Sequence, residues 1–124
     1  MMTRDEFRTR TLQFGIRCIR MAESLPKSGA AQVVGKQLIR AATSVGANYR
    51  SAIRGRSRGD FVSRMGIVEE ECDEALYWIE LVIELGLIPQ VRTADLIREG
   101  NEILAVVVSS IKTARKGGNS RVPK

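Results

Sequence analysis

Arginine is the residue type whose chemistry stands out in this sequence. Lys and Arg number 20 against 14 Asp and Glu, which gives a net charge of +6. A guanidinium can bind two phosphate oxygens at once, so this balance favours a polyanionic partner such as nucleic acid. The candidate contact residues lie on two predicted helices and in the turn after the second: Arg10, Arg17, Arg20, Lys36, Arg40, Arg50, Arg54, Arg56 and Arg58.

Paired carboxylates are the one catalytic option that the sequence leaves, and Glu71 and Glu74 lie three residues apart at the edge of the predicted core stripe. Di-iron helical bundles complete such pairs with histidine, and this sequence contains no histidine. Its absence also removes the commonest general base near neutral pH and the commonest metal ligand. We therefore expect no cofactor, no metal and no enzyme, and we expect both glutamates to pair with an arginine between helices. Among the candidate contact residues, Arg40 is the one that could instead pair with an acidic residue between helices.

Other site types are excluded on similar grounds. The glycine-rich stretch from Gly55 to Gly59 lacks the spacing of a phosphate-binding loop. Cys18 and Cys72 are far apart and lie on predicted core stripes, so we expect both to act as small buried hydrophobes. No segment has the roughly 20 apolar residues that span a bilayer, and Met1–Arg10 has no signal-peptide core. We expect a cytoplasmic protein with no membrane partner.

Four segments with helical periodicity must position these side chains. The predicted helices cover residues near 5–24, 30–54, 60–86 and 94–115. Short connections favour antiparallel neighbours, so the sequence predicts an all-α, antiparallel up-down four-helix bundle. We expect the bundle to occupy residues 1–116, followed by a disordered basic tail over 117–124.

Residues typical of helix ends mark these boundaries. Thr3 and Glu6 have the spacing of a capping box, and Ser28 is a candidate cap for the second helix. Asp60 is the candidate cap of the third helix. Gly86 and Pro89 then form a helix stop signal, so the fourth helix is expected to begin at Thr93 or Asp95.

Each predicted helix carries an apolar stripe for one shared core. The stripes are Phe7, Phe14, Cys18, Met21 and Leu25; Val34, Leu38, Ala41, Ala42, Val45, Tyr49 and Ala52; Phe61, Met65, Val68, Cys72, Ala75, Ile79 and Val82; and Ile97, Leu104, Val107 and Ile111.

A second apolar stripe points to self-association. Leu12, Ile16 and Ile19 project almost opposite to the core residues of the first helix. Trp78 and Leu85 lie on a flank of the third helix. Contiguous apolar patches usually mark interfaces, so we expect these five residues to lie between subunits of a homo-oligomer. The alternative is a bundle that covers them with its own loops and tail.

Charge is separated between the helices. The third helix carries its acidic residues on one outer face, namely Glu69, Glu70, Asp73, Glu80 and Glu84. Three interpretations remain open. The basic strip follows a phosphate backbone, or it meets the acidic face of a neighbouring copy, or both faces are simply solvated.

Several segments, in the same order along the chain, carry a family resemblance. They are Gln37–Tyr49, Ser57–Phe61 with Met65, the set Glu71, Glu74, Tyr77, Trp78, Glu80 and Leu81, and Ser110–Arg115. They resemble the bacterial four-helix bundle protein family. That family includes proteins encoded within intervening sequences of 23S ribosomal RNA genes and the accessory variability protein of diversity-generating retroelements. Ser51 departs from the pattern, because the family commonly has an acidic residue there.

The resemblance implies a four-helix bundle. For the retroelement accessory proteins it also implies a homopentamer, nucleic-acid binding and association with a reverse transcriptase. The leading hypothesis is therefore an oligomeric accessory protein that binds RNA or an RNA–DNA hybrid. Aromatic residues make up only 5% of the chain, so contacts should be to phosphates rather than to stacked bases. The alternative is a self-associating protein-interaction scaffold of the ribosomal RNA branch, without direct nucleic-acid contact. An enzyme that uses Glu71 and Glu74 is the third hypothesis.

Overall fold

Four helices form the structure, a computed structural model that describes residues 2–117. They are α1 (Arg4–Glu23), α2 (Gly29–Ala52), α3 (Arg58–Glu84) and α4 (Gln90–Arg115). Between residues 2 and 117 there is no strand, so the predicted all-α class is confirmed. Of the predicted tail, only Gly117 falls within the described residues. None of these four helices has the length and apolar character needed to cross a bilayer.

The helices pack in an up-down, antiparallel order. The ring of Phe7 at the start of α1 meets the edge of Tyr49 at the end of α2, with centroids 4.9 Å apart. The side chain of Arg58 at the start of α3 lies beside Gly117 just after α4. Arg10 joins α1 to Glu99 of α4 and closes the bundle. Only neighbouring helices bring Cα atoms within 8 Å of each other over the described chain; the diagonal pairs do not.

The first two helices begin where the sequence predicts. The Glu6 N–H donates to Thr3 Oγ1 at 3.0 Å, and the Thr3 N–H donates to Glu6 Oε1 at 3.1 Å, which completes the capping box. Ser28 caps α2 by accepting from the Ala31 N–H at 3.3 Å. Both caps satisfy backbone donors that a helix N-terminus would otherwise leave unpaired.

The predicted cap of α3 and the predicted start of α4 are wrong. Ser57, not Asp60, caps α3, and its Oγ accepts from the Asp60 N–H at 3.1 Å. The Asp60 carboxylate instead accepts from the Arg56 N–H and from Arg64 Nε. α4 begins at Gln90 after Pro89, whose φ of −57° already suits a helix. Thr93 therefore lies in the first turn of α4, where its hydroxyl donates to the Gln90 carbonyl at 2.8 Å.

The stop after α3 is a Schellman motif. Gly86 has φ +67°, a backbone conformation that favours glycine. The Leu87 N–H donates to the Val82 carbonyl at 3.1 Å, and the Gly86 N–H donates to the Ile83 carbonyl at 2.9 Å. These bonds satisfy carbonyls at the helix end and turn the chain toward α4, as the Gly86–Pro89 signal predicts.

The core agrees with the predicted stripes on α1, α2 and α3, where every predicted residue is buried. On α4 the prediction is partly wrong. Val107 and Ile111 are buried, but Ile97 and Leu104 are only partly buried, and Leu96 and Ile103 take their places. Gly100 sets this register, because a Cβ there would lie 2.7 Å from Leu76 Cδ2 and 3.3 Å from Phe14 Cε1. The core stripe of α4 must therefore run through Gly100.

Both cysteines lie in the core with free thiols, as predicted. The Cys72 thiol donates to the Gly100 carbonyl, with a sulfur–oxygen distance of 3.4 Å. Cys18 is on α1 and Cys72 on α3, whose Cα atoms stay more than 8 Å apart. A disulfide needs Cα atoms within about 7 Å, so the fold excludes this bond. Burial raises the pKa of each thiol to about 12.

Candidate nucleic-acid interface

Four arginines meet in a groove where α2 ends and α3 begins. This surface, the basic groove, has a volume of about 800 Å³. Its lining residues are Ala47, Arg50, Ser51, Arg54, Arg56, Asp60 and Arg64. Arg50 lies in the last turn of α2, and Arg54 follows in the turn that continues from it. The groove thus unites three of the arginines that the sequence predicts as contacts.

Asp60 holds the turn between α2 and α3 in shape. Its Oδ2 accepts from the Arg56 N–H at 3.1 Å, and its Oδ1 accepts from Arg64 Nε at 3.1 Å. The backbone hydrogen bond from Arg56 is the largest cause that lowers the pKa of Asp60, and Arg64 lowers it further. The turn is tight at Gly55, where a Cβ would lie only 3.0 Å from the Ala52 carbonyl oxygen. Asp60 is therefore a structural anion at the edge of a basic site.

Arg64 is the groove residue that sequence reasoning missed. One of its terminal nitrogens donates to Ser51 Oγ, and its Nε donates to Asp60. The four-residue spacing of Asp60 and Arg64 on a helix is the signal that could have placed it. Ser51 is the position where the resembled family commonly has an acidic residue. A serine binds the guanidinium without cancelling its charge, so the groove holds four guanidiniums and one carboxylate.

The remaining three groove arginines are unneutralised. Arg50, Arg54 and Arg56 are exposed, and no carboxylate oxygen of residues 2–117 lies within 4.0 Å of their side-chain nitrogens. Grouped cations that lack partners create a positive potential that attracts anions from solution. Each guanidinium presents two parallel donors, a geometry that suits the oxygens of a phosphate or a carboxylate.

Arg58 does not join the basic groove. It lines a neighbouring hollow of about 270 Å³ at the end of the bundle, which we name the end hollow. Its lining residues are Arg4, Ala52, Ile53, Gly55, Arg56, Ser57, Arg58, Phe61 and Ala114. Arg56 lines both surfaces. The structure therefore divides the arginine strip predicted from residue 50 to residue 58 into two adjoining sites.

Two of the predicted contact arginines are paired between helices. Arg10 Nε and Nη2 each lie 2.7 Å from an oxygen of Glu99, and Nη2 lies 3.0 Å from Glu102. The hydrogen bond to Glu99 is the largest cause that raises the pKa of Arg10. The carboxylates at the α1–α4 seam therefore occupy this guanidinium.

Arg40 is engaged in the same way at the α2–α3 seam. Its Nη1 lies 3.2 Å from Glu71, and its Nη2 contacts Glu74. Glu74 also accepts from Trp78 Nε1 at 3.2 Å. The prediction that the two glutamates pair with an arginine is confirmed. Seam carboxylates therefore occupy the guanidiniums of both Arg10 and Arg40.

The other predicted contacts are exposed but scattered. Arg17 and Arg20 lie on α1, and no carboxylate within the described range pairs with either. Lys36 lines a separate hollow with Lys27. None of the three lines the basic groove, so their contact with nucleic acid stays a prediction.

The predicted second apolar stripe forms the floor of a groove between α1 and α2. This apolar groove has a volume of about 570 Å³, and Leu12, Ile16 and Ile19 line it. Leu12 is 59% exposed. Arg50 lines both the apolar groove and the basic groove, so the two surfaces are continuous. On α3, Leu85 is exposed and Trp78 is half-buried.

The outer face of α3 is acidic, as predicted. Glu70, Asp73, Glu80 and Glu84 are exposed, and Glu69 is half-buried. Over residues 2–117, no cluster of three or more His, Cys, Asp or Glu side chains has an arrangement that could hold a metal ion.

Comparisons with known proteins relate the chain to one protein family. The sequence profile of the 23S rRNA-intervening sequence protein family matches residues 6–109. The chain is similar to a crystal structure of a protein with unknown function from the S23 ribosomal protein family of Bacteroides thetaiotaomicron VPI-5482. The two are 32% identical with a TM-score of 0.80, over 86% of this chain and 99% of that one. No curated protein matches the sequence.

Proposed function

We propose, from the premise that the chain belongs to the 23S rRNA-intervening sequence protein family, that it is a self-associating protein that binds RNA. The observation that carries this proposal is the basic groove, whose lining includes four arginines and a single carboxylate. A polyanion that enters this groove displaces its condensed counterions, and their release drives association. The binding residues are Arg50, Arg54, Arg56 and Arg64.

Phosphate contacts, rather than base contacts, account for the affinity in this proposal. No aromatic side chain lines the basic groove within the described chain. The aromatic pair Tyr77 and Trp78 lies on α3, and Trp78 Nε1 is bound to Glu74. Without stacking platforms, the groove should tolerate different sequences. Binding should therefore depend on charge and salt more than on base order.

Self-association in this proposal uses the apolar groove. A second copy would lay an apolar surface on Leu12, Ile16 and Ile19, and the acidic outer face of α3 complements the arginines at the groove edge. Light scattering tests this with Ile16→Glu and with Val33→Glu, a control at an exposed valine outside the groove. We expect only Ile16→Glu to lower the mass. A wild-type monomer at micromolar concentration would refute self-association.

The competing function is a protein-interaction scaffold without RNA contact. The continuity of the two grooves at Arg50 favours it, because the same arginines could meet the acidic face of a neighbouring copy. The finer role of an accessory protein for a reverse transcriptase, in a ring of five subunits, rests on the resemblance alone. Copurification with the reverse transcriptase of a neighbouring gene would test that role.

A charge-matched pair of variants tests the RNA proposal. Arg50→Gln/Arg54→Gln/Arg56→Gln removes three charges from the basic groove. Arg17→Gln/Arg20→Gln/Lys36→Gln removes three from elsewhere. We expect the groove variant to lose RNA affinity on the order of a hundredfold, about 1 kcal/mol for each contact, while the control changes little. Equal losses would show that only net charge matters, and unchanged affinity in both would favour the scaffold.

A further inference from the structure

The end hollow carries three arginines and no acidic residue. Arg4, Arg56 and Arg58 come from α1, the α2–α3 turn and the start of α3. None of their side-chain nitrogens lies within 4.0 Å of a carboxylate oxygen in the described part of the chain. Three separate segments thus direct positive charge to one concave surface. Phe61 and Ile53 supply an apolar wall beside it.

Arg4 is held at this hollow by packing. Its Nε is buried and has no hydrogen-bond partner among residues 2–117. Its charge acts on the buried Tyr49 hydroxyl, where it opposes the rise in pKa that burial causes. A buried donor without a partner is unfavourable, and packing must hold the side chain in place. A guanidinium fixed in this way loses little freedom when a ligand binds to its remaining donors.

The start of α3 adds to this charge. Ser57 and Arg58 line the end hollow, and the first N–H groups of α3 lie at this end of the helix. A helix N-terminus favours anions through its free donors and its dipole. The Ser57 side chain is committed to the Asp60 N–H. The arginines, not the cap, therefore provide the side-chain donors for an anion here.

We propose that the end hollow binds the terminal phosphate monoester of an RNA whose next phosphates lie along the basic groove. A terminal monoester carries nearly two negative charges near neutral pH, whereas an internal diester carries one. Three unpaired guanidiniums match the higher charge. Arg56 lines both surfaces, so a strand can pass from one to the other without a gap. The phosphate site follows from the hollow itself, and its assignment to an RNA end rests on the proposed function.

The test compares one short RNA sequence with a 5′-phosphate, with a 3′-phosphate and with hydroxyls at both ends. Each RNA competes with a labelled RNA for the full-length protein. We expect wild type to prefer one phosphorylated end by about tenfold, which corresponds to one added charge-assisted contact. The phosphorylated RNA that competes more strongly identifies which end the hollow binds. No preference for either phosphorylated RNA would overturn the inference.

Arg58→Gln and Arg54→Gln form the matched pair of variants. Both residues are exposed arginines, but Arg58 lines only the end hollow and Arg54 only the basic groove. We expect Arg58→Gln to abolish the preference and to keep the affinity for hydroxyl-ended RNA. Arg54→Gln should lower all affinities and keep the preference. The opposite pattern would place the terminal phosphate in the basic groove and refute the end hollow. Arg4→Gln, with its fold checked by circular dichroism, should behave as Arg58→Gln does.

A nucleotide titration separates this inference from the proposed function. Calorimetry compares adenosine 5′-monophosphate with adenosine, and no RNA is present. If RNA does not bind but the monophosphate binds in an Arg58-dependent manner, the end hollow stands and the RNA function fails. If RNA binds with salt dependence but neither the monophosphate nor a phosphorylated end is preferred, the function stands and the end hollow is refuted.

Discussion

Ser51 accepts a hydrogen bond from the guanidinium of Arg64 across the turn between α2 and α3. Both residues line the basic groove, and Asp60 is the one acidic residue of that lining. Where the resembled family commonly has an acidic residue, this chain therefore leaves the positive charge in place. The side chain at position 51 of α2 therefore affects the net charge of the basic groove.

The first prediction concerns Ser51→Glu. A carboxylate at this position would pair with Arg64 and repel phosphates that enter the groove. We expect RNA affinity to fall by about fivefold to tenfold, because one added charge about 4 Å from a phosphate and fully exposed to water costs about 1 kcal/mol. Fluorescence anisotropy measures the change, and Ser51→Gln, which keeps a polar group without charge, is the control. An affinity that survives Ser51→Glu would show that Arg64 lies outside the RNA path.

The second prediction concerns Arg40→Gln, which breaks the contacts with Glu71 and Glu74 at the α2–α3 seam. Because the Arg40 side chain is 47% exposed, solvent screens these pairs. We expect a loss of about 1 kcal/mol in the free energy of unfolding, measured by urea denaturation. RNA affinity should stay unchanged. A clear loss of RNA affinity at full stability would restore Arg40 to the binding surface.

The third prediction uses two glycines inside helices. A Cβ at Gly100 would lie 2.7 Å from Leu76, whereas a Cβ at Gly66 would meet nothing within 4 Å. We expect Gly100→Ala to destabilise the fold by about 1–3 kcal/mol through overpacking. Gly66→Ala should stabilise it by up to about 1 kcal/mol, since alanine favours helix. Urea denaturation compares the two, and a stable Gly100→Ala variant would disprove the tight seam.

Gly100 also shows why the sequence predicted the core of α4 only in part. α4 has apolar residues on several sides, including the run Val106–Val108, so more than one stripe fits its periodicity. The contact of Gly100 with Leu76 and Phe14 decides between them, and that contact is tertiary. On α1, α2 and α3 the predicted stripes are the ones that the fold buries, although α1 also carries the second apolar stripe of Leu12, Ile16 and Ile19.

The residues of the basic groove were predictable to a similar extent. Helical projection placed Arg50 and Arg54 together, and both line the basic groove. Helical projection could not predict that Arg58 lies on a different surface. The path of the turn depends on the hydrogen bond from the Arg56 N–H to Asp60, which is not part of a helical pattern. Arg64 was missed although it lies four residues after its partner Asp60, and its second partner, Ser51, is on another helix. Local spacing thus identifies a basic region, but long-range contacts decide which side chains share a surface.

The fourth prediction concerns pH. Burial raises the pKa of Cys18 and Cys72 from 9.0 to about 12. The unfolded chain then loses its thiol protons at lower pH than the folded chain does. The stability that these thiols contribute is complete below pH 9.0 and is lost as pH rises towards 12.

Urea denaturation across this pH range measures the loss. Tyr49, whose pKa burial raises from 10.0 to about 12, contributes in the same direction. The variant Cys18→Ala/Cys72→Ala should show a shallower decline, although it is less stable at neutral pH. Native protein should also resist thiol alkylation until it is unfolded. Rapid alkylation of the native thiols would contradict their burial.

The most direct test of the central claim is the salt dependence of RNA affinity. The logarithm of the association constant is measured against the logarithm of salt concentration for wild type and for Arg50→Gln/Arg54→Gln/Arg56→Gln. On single-stranded RNA each phosphate contact contributes about 0.7 to the slope, so the variant's slope should be flatter by about two. Equal slopes and equal affinities for the two proteins would show that these arginines do not touch phosphate.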